Sequence, residues 1–359
     1  MVSSGAGLGI EATGLSSALQ DRGRLGLRRL GIPWAGTLAE SWRHIANALV
    51  GNPIDAPVVE TFEAGLTVQA RDGAVRIATV GDLTLEHGDA QGSSAPVLPW
   101  RSVTLQPGER VRVVSTGRFR LGLLALAGID VPVHHGSRSS YARAGLGGLD
   151  GRPLVAGDRL PTVAGTHDPD LGIAEDDLDH CLDLARAGGG EGTLLLRAVP
   201  GPQDEAFDAD QLARFFGERP WTVSRETDRM GCRLDGEPLV HRDGADTVSD
   251  ATVPGSVQVP GTGRPIVLLN DAHTAGGYTK IATVIGTDLM ALALARPGAK
   301  VRFAPVEAAE GVRLARHRHT VLTGILERLT PPVRVPGTAE LLGANLIGGV
   351  VNALEDAPA

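Results

Sequence analysis

One short block of sequence occurs twice in this chain of 359 residues. The segment RLGLR at residues 24–28 returns as RMGCR at residues 229–233, and a glycine and a proline follow both copies at the same spacing. Two further blocks repeat in the same order with one common offset: residues 65–73 return as 255–263, and residues 107–112 return as 297–302. The repeats predict two similar units in one chain, related by a pseudo-twofold axis. The seam between such units is a usual place for a binding cleft.

The composition favours short strands separated by turns. Glycine (48 residues) and proline (23 residues) are abundant and are spread along the chain, which indicates many turns rather than disorder. Aromatic residues make up only 3%, so the cores must consist mainly of Val, Leu, Ile and Ala. We therefore predict a mainly β fold with a few helices, built as two tandem β-barrel units related by internal duplication.

The predicted units divide the chain near residue 190. Residues 1–190 form the first unit, with a Gly/Ser/Arg-rich loop at 131–160 and an acidic linker at 164–192; residues 191–330 form the second unit, and residues 331–359 form a tail. Apolar periodicity predicts helices at 37–50, 175–185, 208–216, 287–295 and 306–329. Strands are predicted at 58–62, 66–70, 75–80, 103–105, 110–114, 119–127, 193–199, 221–224, 256–259, 266–269 and 301–303.

Charge and hydropathy argue against several functional classes. The net charge is −8 and the chain has no run of Lys or Arg, so a nucleic-acid partner is not expected. Neither a long apolar stretch nor a signal-peptide pattern is present, which predicts no membrane association and a cytoplasmic location. Two cysteines, Cys181 and Cys232, are too few for a disulfide framework or a cysteine zinc site, and no metal site is expected.

A series of motifs, in chain order, resembles a known family. Gln20, Asp21, Gly23, Arg24 and Gly26 match the pattern Q-D-x-G-R-x-G. Further matches lie at 31–36, 46–52, 60, 127–129, 136–139, 147–152, 157–158, 201–203, 228–231, 258–260 and 276–280. Together they resemble the biotin-dependent carboxyltransferase A/B family over roughly residues 8–320. Its members are also described as the C subunit of 5-oxoprolinase, as KipA-like or as allophanate hydrolase subunit 2-like.

The resemblance implies two cyclophilin-like β-barrel units and a KipI-like partner subunit. It also implies an ATP-dependent 5-oxoprolinase, which opens the lactam of 5-oxoproline to glutamate together with a third, lactam-utilisation subunit. ATP is then the expected cofactor, bound by or shared with a partner subunit. Because the sequence has no P-loop pattern, ATP binding must use another architecture or another subunit. No biotin is expected on this chain, since it lacks the Met-Lys-Met attachment motif.

Three functions remain open from the sequence. The first is a subunit of the 5-oxoprolinase, an amide hydrolase coupled to ATP hydrolysis and inactive alone. The second is a carboxyltransferase component that acts on urea or a related amide with carboxybiotin made elsewhere. The third is a non-catalytic regulatory partner of a KipI-like protein.

The candidate catalytic residues follow one another after a predicted strand. Asp271, His273, Tyr278 and Lys280 surround a Gly276-Gly277 pair that we expect to form a sharp turn close to a ligand. A Lys there can hold a carboxylate or phosphate, and a Tyr or His can move a proton. The alternative is a tight turn with a packed tyrosine.

The candidate substrate-binding residues lie in both halves. Arg138 and Ser139 belong to the glycine-flanked loop and form a candidate anion site. Glu60 is either a base or a partner for an arginine. The remaining candidates are Arg24, Arg229, Gly276 and Gly277, with a structural role as the alternative for the two arginines.

Three positions depart from the family pattern. Ala39 occupies the position of an expected Asp, and Ala272 and His273 occupy those of an expected Arg and Gln. These changes lie in the segments in which functional residues are expected, and they leave the substrate open.

Overall fold

The computed structural model describes residues 6–163, 169–185 and 192–331. The predicted tail at 331–359 therefore lies, except for its first residue, outside the described residues. Within them the protein is mainly β, with five α-helices, and each corresponds to a helix predicted from the sequence. These are α1 Glu40–Leu49, α2 Glu175–Asp183, α3 Ala209–Phe215, α4 Gly286–Leu294 and α5 Ala308–Glu327. Among the described residues, no helix is both long and apolar enough to cross a membrane.

Among the described residues, the first half of the chain contributes eleven strands. They are β1 Gly7–Thr13, β2 Ser16–Gln20, β3 Val58–Phe62, β4 Leu66–Arg71, β5 Val75–Val80, β6 Thr84–Gly88, β7 Ser94–Val97, β8 Arg101–Leu105, β9 Arg110–Ser115, β10 Leu121–Leu126 and β11 Arg159–Pro161. They form two sheets: a six-stranded sheet with the order β11-β1-β4-β9-β6-β7 and a five-stranded sheet with the order β2-β3-β10-β5-β8.

The described part of the second half contributes eight further strands. They are β12 Thr193–Pro200, β13 Trp221–Val223, β14 Gly231–Asp235, β15 Asp246–Ala251, β16 Ser256–Val259, β17 Ile266–Leu268, β18 Ala275–Val284 and β19 Lys300–Pro305. Their order is β12-β19-β13-β14-β17-β16-β18, and β18 pairs again with β12. Seven strands thus form a closed barrel, and β15 adds to the free edge of β18.

The five-stranded sheet is buried on both faces. Strand β10 reads as a continuous apolar run, LGLLAL, whereas β5, VRIATV, also carries Arg76 and Thr79; every residue in both strands is buried. One face packs on the six-stranded sheet through residues such as Val59 and Leu124. The other face packs on α1, and burial on two sides explains why these strands lack the alternating pattern of a half-exposed sheet.

One hydrophobic core extends from the first half into the second. It includes Trp42 and Ile45 of α1, Leu121 of the five-stranded sheet, and Val257 and Phe303 of the barrel. The ring of Trp42 packs edge-on against two other aromatic rings, and its indole nitrogen donates to the carbonyl oxygen of Cys181 (3.0 Å). The two halves therefore share a core as well as a seam.

The prediction of a sharp turn at Gly276 and Gly277 is wrong. Both residues lie inside the ten-residue strand β18, where Gly276 pairs with Asp250 of β15, and neither has a positive φ. Glycine is needed there for space rather than for a turn, since a Cβ on Gly276 would lie 2.6 Å from Nε2 of Gln258.

Candidate functional site at the seam between the halves

A buried ion-pair network joins the two halves. Arg229, between β13 and β14, donates through Nε and Nη2 to the two carboxylate oxygens of Asp271 (3.1 and 3.0 Å). Its Nη1 donates to Oε1 of Glu60, which lies on β3 and is 1% exposed. We call Glu60, Arg229 and Asp271 the seam triad. Two carboxylates from different halves thus share one guanidinium.

Burial and charge act in opposite directions on the triad. Burial alone would lower the pKa of Arg229, but the adjacent carboxylates of Asp271 and Glu60 outweigh it and raise that pKa. Burial raises the pKa of Asp271, against the lowering effect of Arg229. The guanidinium therefore stays charged and supplies the counter-charge for the seam.

The triad also fixes the loop that precedes α1. The second oxygen of Glu60 accepts hydrogen bonds from the hydroxyl of Thr37 (3.0 Å) and the backbone N–H of Leu38 (2.8 Å). Asn270 donates to the carbonyl oxygens of Gly36 (3.1 Å) and Thr37 (2.6 Å). Glu60 and Arg229 are therefore saturated by protein groups, and their predicted role in substrate binding stays a prediction.

The glycine-rich loop is held by a carboxylate that the sequence did not mark as a site residue. Asp21 accepts hydrogen bonds from the hydroxyls of Ser137 (2.6 Å) and Ser139 (2.7 Å) and from the N–H of Arg138 (2.6 Å). The side chain of Arg138 donates to the carbonyl of Val131 (2.9 Å). Ser139 and Arg138 thus take part in holding the loop in place, and their predicted role in binding an anion stays a prediction.

Arg24 lies beneath the same loop. It is 1% exposed, and its Nη2 donates to the carbonyl of Ser139 (2.6 Å). Its Nε and Nη1 have no hydrogen-bond partner among the described residues. Arg24 and Arg229 therefore have different surroundings, although they occupy matching positions in the sequence repeat.

Lys280 is buried and paired with a carboxylate. Its Nζ donates to Asp250 on β15 (2.6 Å) and to the carbonyl of Ala251 (3.0 Å), and the side chain is 2% exposed. The hydrogen bond from Lys280 lowers the pKa of Asp250. Tyr278 lies two residues earlier on β18 and is 41% exposed. This lysine attaches β15 to β18, and its predicted catalytic role is not tested by this arrangement.

A second group of polar side chains surrounds Gly276. We call Arg28, Gln258, His273 and Gly276 the His273 cluster. Nε2 of Gln258 and Nε2 of His273 both approach the position that a Cβ on Gly276 would occupy, at 2.6 and 2.7 Å. Arg28 donates through Nη2 to the carbonyl oxygens of His273 (3.1 Å) and Thr252 (2.6 Å).

The His273 cluster adjoins the seam triad along the chain. Asp271 belongs to the triad, and His273 follows two residues later in the β17–β18 loop. Burial and the positive charge of Arg28 lower the pKa of His273, so its imidazole is neutral near pH 7. Neither Gln258 nor Arg28 was named as a site residue from the sequence. Gln258 lies in the Gln-Val-Pro motif at 258–260, and Arg28 lies in the repeated block at 24–28.

Two of the cavities lie away from these residues. One of about 380 Å³ opens on the six-stranded sheet, between Glu11, Glu86, Arg110 and Arg112. The other, of about 420 Å³, lies between Trp100 and α2. Neither is lined by a predicted site residue. Among the described residues, no group of three or more His, Cys, Asp or Glu side chains forms a metal site.

Comparison with known proteins defines the class. Residues 30–305 match the family model described as the carboxyltransferase domain, subdomain A and B, and the chain belongs to this family. It is 34% identical to the C subunit of 5-oxoprolinase from Escherichia coli strain K12, over 90% of this chain and 98% of that protein. It is 32% identical to the same subunit from Haemophilus influenzae, over 86% of this chain and 94% of that protein. The resemblance found in the sequence is confirmed.

The solved structures show the same fold in a larger protein. The urea carboxylase of Kluyveromyces lactis superposes with a TM-score of 0.77 and 22% identity. The match covers 93% of this chain and 30% of that one, so this chain spans under a third of the urea carboxylase. At this level of identity the likeness shows the fold alone.

Proposed function

We propose that this chain is a subunit of an ATP-dependent 5-oxoprolinase, which converts 5-oxoproline to L-glutamate and is inactive without its partners. The observation that carries the proposal is the match to the C subunit of the Escherichia coli 5-oxoprolinase, which spans 98% of that protein. A match along almost the whole length supports an equivalent subunit rather than a domain reused in another enzyme.

The chemistry of the seam supports this assignment. Opening a lactam requires groups that bind a small amide and stabilise charge that develops on oxygen. The His273 cluster places a buried amide donor, a neutral imidazole and a guanidinium close together. Asp271, Tyr278 and Lys280 lie on the same loop and strand, and we retain them as proposed members of the site.

Two of the predicted site cations, Lys280 and Arg229, are not free to bind the phosphates of ATP. At the seam Lys280 is committed to Asp250, and Arg229 is committed to Glu60 and Asp271. The sequence also lacks a P-loop. We therefore propose that a KipI-like subunit, together with a lactam-utilisation subunit, holds the nucleotide, and we derive no ATP-dependent step from this chain.

We further propose a cytoplasmic location and an origin by duplication. The described cysteines, Cys181 and Cys232, are buried and unpaired, which suits a reducing compartment.

Matching glycines in the sequence repeats support the duplication. Gly65 and Gly255 both have a positive φ (109° and 97°), and so do Gly108 and Gly298 (91° and 93°). Among the described residues, barrel closure is seen only in the second half, so two cyclophilin-like barrels, divided near residue 190, remain a proposal.

A second candidate is a carboxyltransferase component that acts on urea or a related amide. The fold match to a urea carboxylase over 93% of this chain favours it. Carboxybiotin would come from another protein, since this chain has no biotin-attachment motif. Transfer of labelled carboxyl from carboxybiotin to urea by the purified chain would establish this candidate.

Reconstitution tests the proposed function. This chain, the KipI-like protein and the lactam-utilisation protein are purified, and glutamate release from 5-oxoproline is measured with ATP while each protein is omitted in turn. We expect release only when all three are present. A tight complex with the KipI-like protein and no release in any combination would instead indicate a non-catalytic regulatory partner.

A further inference from the structure

The cavity beside Trp100 is an open apolar groove. Its volume is about 420 Å³, and most of the side chains that line it are apolar: Leu83, Leu98, Trp100, Ile173, Leu178 and Leu182. We call it the Trp100 groove. Leu98, between β7 and β8, is 61% exposed, and Leu178, on α2, is 36% exposed. Large apolar side chains that are left exposed in one concave surface indicate that something covers them.

The described chain ends at this groove. Gly172 donates its backbone N–H to the carbonyl of Thr330 (2.7 Å), and Thr330 donates back to the carbonyl of Gly172 (3.2 Å). Just before, Arg328 donates through Nε and Nη2 to the carboxylate of Asp177 on α2 (2.9 and 2.7 Å). Thr330 and Pro331 both line the groove, and Pro331 is the last described residue. The remaining residues, 332–359, therefore start at the rim of the groove.

The sequence of this remaining segment contains an apolar stripe. Leu342, Leu346 and Val350 recur every four residues, which places them on one face of a helix, and Thr338 is a suitable N-cap ahead of them. Two adjacent glycines at 348–349 weaken such a helix in isolation. Most of the stability of a helix in a protein comes from the packing of its apolar face, so this stripe requires an apolar surface to pack on.

The connection between groove and stripe is long enough for the segment to turn back. Residues 332–337 span up to roughly 20 Å when extended. Helix α2, which forms one wall of the groove, has nine residues and is about 13 Å long. The stripe can therefore reach any part of the groove from the fixed position of Pro331. The segment also lies beyond residues 30–305, which match the family model, so its docking would be a feature of this chain.

We propose that residues 338–354 dock as a helix in the Trp100 groove of the same chain, with the stripe of Leu342, Leu346 and Val350 packed against Leu98 and Leu178. The short connection gives the segment a high effective concentration at its own groove, which favours it over the segment of a second copy. The groove lies away from the seam triad and the His273 cluster, so this inference does not rest on the proposed function.

Amide hydrogen exchange on the full chain tests the docking. In the wild type we expect the amides of residues 338–354 to exchange at least tenfold more slowly than in the same peptide free in solution. Leu98→Asp should return them to the free rate, because it places a carboxylate in the apolar contact. The fold should stay intact by circular dichroism, since Leu98 is already mostly exposed. Leu15→Asp is the matched control, since Leu15 is 75% exposed between β1 and β2 and does not line the groove.

A change in the segment should have the reciprocal effect on the groove. Leu342→Asp combined with Leu346→Asp should speed amide exchange in α2, Glu175–Asp183, by removing the helix that covers it. Val333→Asp lies in the connection rather than in the stripe and is the control.

A disulfide test distinguishes one chain from two. Leu98→Cys combined with Leu346→Cys should form a crosslink within one chain on mild oxidation, and the product should remain a monomer. The native Cys181 and Cys232 are fully buried and are not expected to compete for this crosslink.

Each contrary outcome overturns the proposal. Exchange of residues 338–354 at the free rate in the wild type shows that they are not docked, and protection that survives Leu98→Asp places them elsewhere on the protein. Crosslinked dimers in place of monomers assign the groove to a second copy. Protection of α2 that appears only when the KipI-like protein is added assigns the groove to that partner.

Discussion

At the scale of single residues, Asp21 shows how much structure one carboxylate can hold. Besides its bonds to Ser137, Ser139 and Arg138, it accepts a hydrogen bond from the N–H of Gly23 (2.8 Å). Burial opposes ionisation, but these hydrogen bonds outweigh it and lower the pKa of Asp21 below 3.8. The glycine-rich loop therefore depends on a charge that lies more than a hundred residues away in sequence.

We predict that Asp21→Asn lowers the free energy of unfolding by about 3 kcal/mol, since the amide turns a donor toward groups that already donate. Urea denaturation measures this loss. The pKa of Asp21 is lower in the folded protein than in the unfolded chain. Its contribution to the free energy of unfolding is therefore present above pH 3.8 and is lost as the pH falls through the folded pKa. Asp89→Asn, in an exposed turn, is the control, and an equal loss there would contradict the assignment.

At the scale of elements, the sequence predicted those helices and strands whose formation depends on the local spacing of apolar and turn residues. All five helices and the full extents of β3, β5 and β16 follow from periodicity and from turn residues. Strand β18 was missed because two adjacent glycines resemble a turn, whereas here Gly276 makes room for Gln258 and His273. The need for a glycine at this position comes from side chains on another strand and in a loop, and a short stretch of sequence does not show those neighbours.

The attachment of β15 to β18 gives a prediction for Lys280. Its Nζ is the group that holds Asp250 and the carbonyl of Ala251, so Lys280→Ala should loosen β15. Amide hydrogen exchange should become faster across Asp246–Ala251, and Tm should fall. Unchanged exchange and Tm, together with lost turnover in the reconstituted complex, would assign Lys280 to catalysis instead.

At the scale of the whole molecule, the halves are joined by contacts that a sequence does not reveal. Glu60 and Arg229 are 169 residues apart, yet they form one buried pair. At a second point the backbone N–H of Arg120 and its Nε donate to carbonyl oxygens at the end of α4 (3.0 and 2.9 Å). The repeat predicted a seam, and the sequence named Glu60 as a candidate partner for an arginine, but the structure was needed to show that this arginine is Arg229.

We predict that Arg229→Met destabilises the protein by about 3–5 kcal/mol, because two carboxylates then remain buried without a counter-charge. Adding Glu60→Gln and Asp271→Asn should recover part of the loss, since the buried charges are removed. Urea denaturation of the single and triple variants measures both effects. A single variant as stable as the wild type would show that the seam does not depend on this ion pair.

Ligand binding is proposed where the β17–β18 loop meets the first half of the chain. A crystal structure of the full chain with 5-oxoproline tests this most directly. We expect the lactam beside the β17–β18 loop, close to Asp271 and His273. A well-ordered ligand in the cavity beside Trp100, or on the open face of the six-stranded sheet, would contradict the proposed site.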